Sequence, residues 1–395
     1  MNNEANRCGR VGVALQACCS ARGERHVAWR KKGAEKRTSR REKLRDSCSE
    51  LTPSLHPLSI PVPKRRREKM PAVVQVVARA EVATVEATAA VAAMSAKPGS
   101  VGVQRTRCSA LMKLATDAAG AQAVVHTRGM TAVVAAMRLH AADVEVQRGG
   151  CGALHHLAGG DTAHKHAIVD AAGVAAVVAA MGRHTADADV QYSGCGALQH
   201  LINGDVARKQ ATQAILNAGG VAVVVAAMRR HALDAKLQRY GCYLLQSLAY
   251  GAGAQAIVEA GGVAAVVAAM RRHALDAKVL GGGCGALYNL ACGDEMHKQE
   301  IMDAGGLTAT VTAMGQHTAV ADVQRNGCRL LQSLVYGNAA RTQAVRDAGG
   351  VAAAAASGVV RRTEYPYMDG CKALRGGVDG SIAALLLGDD NPYYI

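Results

Sequence analysis

Residues 256–291 read AIVEAGGVAAVVAAMRRHALDAKVLGGGCGALYNLA. Three helical pieces follow one another in this stretch. A short first piece ends at Gly261–Gly262, where glycine permits a left-handed cap and a sharp turn. The second, Val263 to Met270, is apolar on most sides and is therefore expected between neighbours. The third opens at Asp276, whose carboxylate suits the free amides of a helix N-terminus. It carries Cys284, followed by Ala286 and Leu287.

The same unit recurs along the chain. Cysteines fall at 108, 151, 195, 242, 284, 328 and 371, spaced by 43, 44, 47, 42, 44 and 43 residues. Met94, Met137, Met181, Met228, Met270 and Met314 each stand 14 residues before a cysteine, with Ser357 in the seventh unit. That interval never varies, whereas the cysteine-to-methionine interval runs from 28 to 33. One segment is thus rigid and packed, and the other holds a loop that tolerates length changes. In the third unit the pieces are Ala163–Ala172, Val174–His184 and Val190–Leu201. The first piece ends at Gly173, Gly219–Gly220, Gly261–Gly262, Gly305–Gly306 or Gly349–Gly350. Asp143, Asp187, Asp234 and Asp276 lie eight residues before their cysteines. The first unit lacks a separate opening helix, and the seventh carries Ser357 and Pro366, as solvent-facing terminal repeats often diverge.

This order of elements resembles the armadillo repeat, over roughly residues 80–376. The Ala-Met-x-x-His ending is similar to the variant in the armadillo segments of leucine-rich-repeat kinases and of armadillo-repeat-containing protein 6. HEAT repeats are the second choice, and the Gly-Gly between the first two helices favours armadillo. The resemblance implies an all-α fold, a right-handed α-solenoid of about seven three-helix repeats. It also implies that the third helices line a concave groove.

Composition agrees. Half of the 395 residues are hydrophobic, yet there is no Phe, one Trp (Trp29) and 43 Gly. Alanine and valine suit helices packed closely and repetitively. The charge of +15 is uneven: residues 1–70 hold 18 Lys/Arg against 7 Asp/Glu, and the remainder 28 against 24. Residues 1–71 lack a period and read as a basic disordered tail, with the solenoid over 72–390. Within the tail Lys64, Arg65, Arg66, Arg67 and Lys69 resemble a nuclear localisation signal, so nuclear-import machinery is an expected partner. Initiation at Met70 would give a chain without that tail. No run of 18 apolar residues occurs and no secretory leader is seen, so an intracellular protein, nuclear or cytoplasmic and not membrane-bound, is expected.

The repeated cysteines are expected as buried thiols, since stacked helices about 8–10 Å apart are too distant for disulfides. His140, His184, His231, His273 and His317 follow the methionines by three and are read as helix C-terminal caps. The pairs His155–His156 and His164–His166 lack metal-site spacing and are placed on the surface. No phosphate loop, nucleophile elbow or paired acid cluster is present, so neither an enzyme nor a cofactor or metal is expected.

Positions four apart share a helix face. On the third helices this selects Arg105, Arg148, Tyr192, Arg239, Tyr243, Asn289, Arg325 and Arg329 as contact residues. The resemblance implies Trp and Asn columns in relatives that bind nuclear localisation peptides. Only Asn289 matches here, which disfavours an import receptor. The stripe holds no Asp or Glu, and guanidinium groups pair bidentately with carboxylates. The expected function is a non-enzymatic protein-interaction scaffold that binds an acidic, extended partner segment in the groove. The alternative is a nucleic-acid-associated factor using tail and arginine stripe together.

Overall fold

The computed structural model describes residues 72–203, 208–250 and 253–357. They form nineteen helices, with no strand among the described residues. The first repeat holds α1 (Ala72–Ala96) and α2 (Val101–Leu114). The second holds α3 (Ala118–His126), α4 (Gly129–Leu139) and α5 (Val144–Ala158), and the third α6 (Thr162–Asp170), α7 (Gly173–Arg183) and α8 (Ala188–Ile202). The fourth holds α9 (Arg208–Asn217), α10 (Gly220–Arg230) and α11 (Ala235–Leu248); the fifth α12 (Gly253–Glu259), α13 (Gly262–Arg272) and α14 (Ala277–Ala291). The sixth holds α15 (Glu295–Asp303), α16 (Gly306–Gln316) and α17 (Ala321–Val335), and the seventh α18 (Ala339–Asp347) and α19 (Gly350–Ala356). Cys371 and the basic tail lie outside the described residues. No single described helix is long and apolar enough to cross a membrane.

The constant 14-residue interval has a direct cause. The residue before each cysteine in repeats two to six is glycine, and a Cβ there would overlap the methionine of the same repeat. The distances from such a Cβ to Sδ would be 2.5 Å at Gly150 and Gly194 and 2.6 Å at Gly241. Four residues before the cysteine stands a buried glutamine in repeats one to four and six. Gln147 Nε2 donates to the carbonyls of Met137 (2.9 Å) and His140 (3.0 Å), and Gln191, Gln238 and Gln324 repeat the pattern. Side-chain donors thus satisfy carbonyls that the end of the second helix leaves open. The aspartate caps form as expected, for example Asp187 accepting from the Val190 amide at 3.0 Å. Leucines three residues after each cysteine, from Leu111 to Leu331, are fully buried, each contributing about 1.5–3 kcal/mol through the area removed from water.

The two glycines between first and second helices do different work. The first takes the left-handed conformation, at Gly219 (φ +70), Gly261 (φ +68), Gly305 (φ +76) and Gly349 (φ +78). In repeats two and three that place belongs to Arg128 (φ +58) and Ala172 (φ +56). Gly173 is therefore not the turn residue assigned from sequence; it opens the second helix. There it shares the second role, close approach. A Cβ on Gly220 would stand 2.7 Å from Ile215 Cγ2 and 3.0 Å from its carbonyl oxygen.

The two roles should separate experimentally. Ala172→Gly relieves a left-handed non-glycine residue and should raise stability by about 0.5–1 kcal/mol. Gly220→Ala should lower it by about 1–3 kcal/mol through overpacking. Guanidinium midpoints of the two variants decide, and a lower midpoint for Ala172→Gly would refute the assignment.

Candidate interaction face of the third helices

The third helices pack side by side from α2 to α17 and present the arginine column together. The column is not bare. Arg105 Nε donates to both carboxylate oxygens of Asp143 at 3.0 Å. Arg148 forks onto Asp187 through Nε (2.9 Å) and Nη2 (2.6 Å), and its Nη1 reaches Glu145 at 2.7 Å. Arg239 binds Asp276 through Nε (2.7 Å) and Nη2 (2.6 Å). In each case the carboxylate is the N-cap of the next repeat's third helix. The guanidiniums keep 39–49 % side-chain exposure, so these are surface clamps between repeats. Hydrogen bonding from Arg105 and Arg148 holds Asp143 and Asp187 below the usual carboxylate range. Asp276 is lowered as well: burial opposes the shift, and Arg239 outweighs it together with the Val279 amide. The stripe that contains no acid in sequence meets its acids in space.

Where the column holds Tyr192 instead of arginine, ring contacts take over. His155 lies 8 % exposed, with Tyr192, His200 and Tyr240 arranged edge-on around it at 5.2–5.5 Å and His156 stacked at 5.6 Å. Its Nε2 is 3.2 Å from Tyr240 Oη. Burial, with His200 and His156 close by, pushes the His155 imidazole down to about 4. Burial also lowers His200, and burial with Tyr192 raises Tyr240 to about 12. The placement of His155 and His164 on the surface is therefore corrected: both are buried. His155 is covered by side chains of later repeats, and His164 sits against Gln122 of the preceding one (3.3 Å).

The other candidates divide. Tyr243 is half-buried, and burial raises its phenol. Arg325 pairs with Asp322 on its own helix. The Arg329 guanidinium lies over the Tyr288 ring, 5.8 Å from its centroid. Asn289 is 6 % exposed and donates to the Gln246 carbonyl at 2.7 Å. It joins two repeats and is not open to a partner, which corrects its assignment as a contact residue. Lys64, Arg65, Arg66, Arg67 and Lys69 lie outside the described residues.

The histidine column caps the second helices, and it also ties repeats together. Nε2 of His140, His184, His231, His273 and His317 donates to carbonyls of Pro98, Ala141, Thr185, Ala232 and Ala274 at 2.7–2.8 Å. These cross-repeat bonds, like the glutamine ladder, were not read from sequence. The glutamine four residues before the cysteine was a visible signal for the ladder. Cys108, Cys151, Cys195, Cys242, Cys284 and Cys328 are buried free thiols, as expected. Burial raises the first five to about 12. No three His, Cys, Asp or Glu side chains converge as metal ligands among the described residues.

A family model described as LRRK2 ARM repeat matches residues 126–305. Two engineered proteins of known crystal structure are similar. One is 26% identical with a TM-score of 0.58, over 79% of this chain and 72% of its own. The other is 28% identical with a TM-score of 0.51, over 63% and 96%. A designed armadillo repeat protein, solved in complex with a (KR)4 peptide, is 17% identical with a TM-score of 0.51, over 63% and 99%. The described solenoid has the armadillo-repeat fold. No curated protein shows a significant sequence match. The armadillo fold is typical of protein-binding scaffolds and is typically non-enzymatic.

The buried imidazole makes armadillo stability pH-dependent with a defined sign. The folded pKa of His155 is depressed, so below the unfolded value of about 6.5 the unfolded chain binds a proton that the native state refuses. Its contribution is complete above that value and is lost as pH falls toward 4. His155→Phe should therefore lose about 2 kcal/mol less stability than the parent between pH 7.5 and 5.0. Parallel denaturant titrations at the two pH values measure this, and equal losses would exclude the assignment.

Proposed function

We propose that the chain is a non-enzymatic protein-interaction scaffold that holds an extended partner segment along its third-helix face. The observation that carries this reading is the partly exposed ring patch of His156, Tyr192, His200 and Tyr240 across three successive repeats. Tyrosine offers large, rigid contact area with a polar tip, and it concentrates where proteins bind. Arg329 and Tyr288 extend aromatic and cationic contact into repeats five and six.

Acidic residues in the segment fit the remaining donors of the arginine column. Arg105 and Arg239 use Nε and Nη2 on aspartate, which leaves Nη1 as the donor for a partner. A partner carboxylate joins an existing Arg–Asp pair, so each adds less than it would at a bare guanidinium. The same neutralisation weakens the nucleic-acid reading, because phosphate affinity depends on uncompensated charge. Reversal of Arg105 or Arg148 to Glu would also set like charges beside Asp143 or Asp187, so it perturbs the array as well as the face. In this proposal the basic cluster at 64–69 delivers the scaffold to the nucleus through import machinery.

The full chain carrying Tyr192→Ala, Tyr243→Ala and Arg329→Glu should lose at least tenfold in partner recovery by affinity purification from cells, with helicity retained by circular dichroism. Undiminished recovery of every partner would end the reading. For delivery, replacing Lys64, Arg65, Arg66, Arg67 and Lys69 with Ala in a fluorescently tagged full chain should shift it from nucleus to cytoplasm. Unchanged distribution would remove that part of the proposal.

A further inference from the structure

Most arginines of the array are engaged within it. Arg105, Arg148 and Arg239 clamp aspartates. Arg229 donates to the Gly261 carbonyl at 2.9 Å, and Arg271 approaches the carbonyls of Ala304 and Gly305 at 3.4 Å. Positive charge that pairs with no carboxylate among the described residues recurs at the turns between second and third helices, singly at Arg138 and Arg183 in repeats two and three and doubled in repeats four and five. Arg230, Lys236, Arg272 and Lys278 are exposed there and pair with no carboxylate among the described residues.

The two turns are copies of one another. Residues 228–236 and 270–278 both read MRRHALDAK. Each carries a leucine turned to solvent, Leu233 at 79 % and Leu275 at 90 % exposure. Equivalent positions in the second, third and sixth repeats hold Ala142, Ala186 and Ala319. Holding a leucine in water forgoes the free energy of burying it, and neither leucine packs against the array. An open cleft of about 600 Å³ adjoins the second turn, lined by Arg239, Arg272, His273, Leu275, Asp276 and Lys278 among others.

The extent of the patch indicates its occupant. At the position of Lys236 and Lys278 the flanking repeats carry Glu145 and Asp189 on one side and Asp322 on the other. The net-basic zone is therefore two repeats wide, because Glu145 and Asp189 offset Arg138 and Arg183 in the turns before it. An anionic bilayer would bring those acids against its own charge, whereas a short segment covers only the basic interval. Packed helices lie about 8–10 Å apart, close to three residues of extended chain or two turns of helix.

We propose that these paired turns form a second docking surface, which binds an acidic protein segment through Arg230, Lys236, Arg272 and Lys278 and seats two of its apolar side chains on Leu233 and Leu275. The inference rests on the scaffold reading above but uses the turn end of the third helices, which adjoins the third-helix face at Arg239.

A random-peptide display library selected on the full chain tests it. Enriched peptides should be rich in Asp and Glu with two bulky apolar residues. Their affinity should fall at least tenfold for Leu233→Ser/Leu275→Ser and for Arg230→Glu/Arg272→Glu, and by several-fold between 50 and 300 mM salt. It should not change with Tyr192→Ala/Arg329→Glu. These side chains are exposed, so an unchanged melting temperature in the turn variants confirms that folding is intact. Peptides that depend on the third-helix variant alone would overturn this surface while upholding the scaffold reading. No enrichment, or peptides insensitive to the turn variants, would overturn it as well. So would sedimentation with vesicles containing 30 mol % phosphatidylserine that the leucine substitutions abolish, when no peptide depends on those leucines.

Discussion

A methionine resting where a glycine lacks its Cβ sets the geometry of every internal repeat. Met137 over Gly150, Met181 over Gly194 and Met270 over Gly283 bring the second helix close to the third. No larger residue fits at the glycine without moving the methionine, and a flexible thioether fills the irregular gap that remains. Once the helices lie this close, the glutamine on the third reaches the last carbonyls of the second. At this contact there is no room for an aromatic side chain in place of the glycine. Among the described residues the tyrosines are half-buried or exposed, and Tyr192 and Tyr240 cover the buried His155.

Adjacent repeats are joined by a second set of contacts. Each histidine cap reaches a carbonyl in the turn of the preceding repeat, and three arginines reach the N-cap of the following one. The stability of a solenoid is approximately a sum of repeat terms and nearest-neighbour terms. Here the neighbour terms have named donors and acceptors. The capping aspartates serve twice, holding their own helix and anchoring the arginine of the repeat before.

Much of this was legible in the sequence. Cysteine and methionine spacing gave the repeat, and the aspartates eight residues before the cysteines gave the caps, because both follow from local helix geometry. Besides the glutamine ladder, what escaped were contacts between repeats, made across 37–46 residues and, for His155 and Tyr240, across 85. Asp143 and Asp187 were recognised as caps, yet nothing local announces that Arg105 and Arg148 lie 38 and 39 residues upstream of them and within reach. The histidines were assigned to helix ends correctly, but their acceptors belong to other repeats. His155 was set on the surface because its own helix offers no cover; Tyr192 and Tyr240, which cover it, come from the third helices of the next two repeats. Asn289 reads as a contact residue on the same one-helix logic, whereas its amide closes a carbonyl on α11.

The arginine clamps do not occur at every junction. They join repeats one and two, two and three, and four and five. Between three and four the rings of Tyr192 and Tyr240 meet, and between five and six Asn326 donates to the Gly281 carbonyl at 2.9 Å. Ion pairs this exposed are screened by salt, while ring packing and a buried amide bond are not. Ionic strength therefore acts unevenly along the array, loosening some couplings and sparing others. The order in which the repeats unzip, and so the segment that a protease meets first, becomes a property of the surrounding electrolyte as much as of the fold.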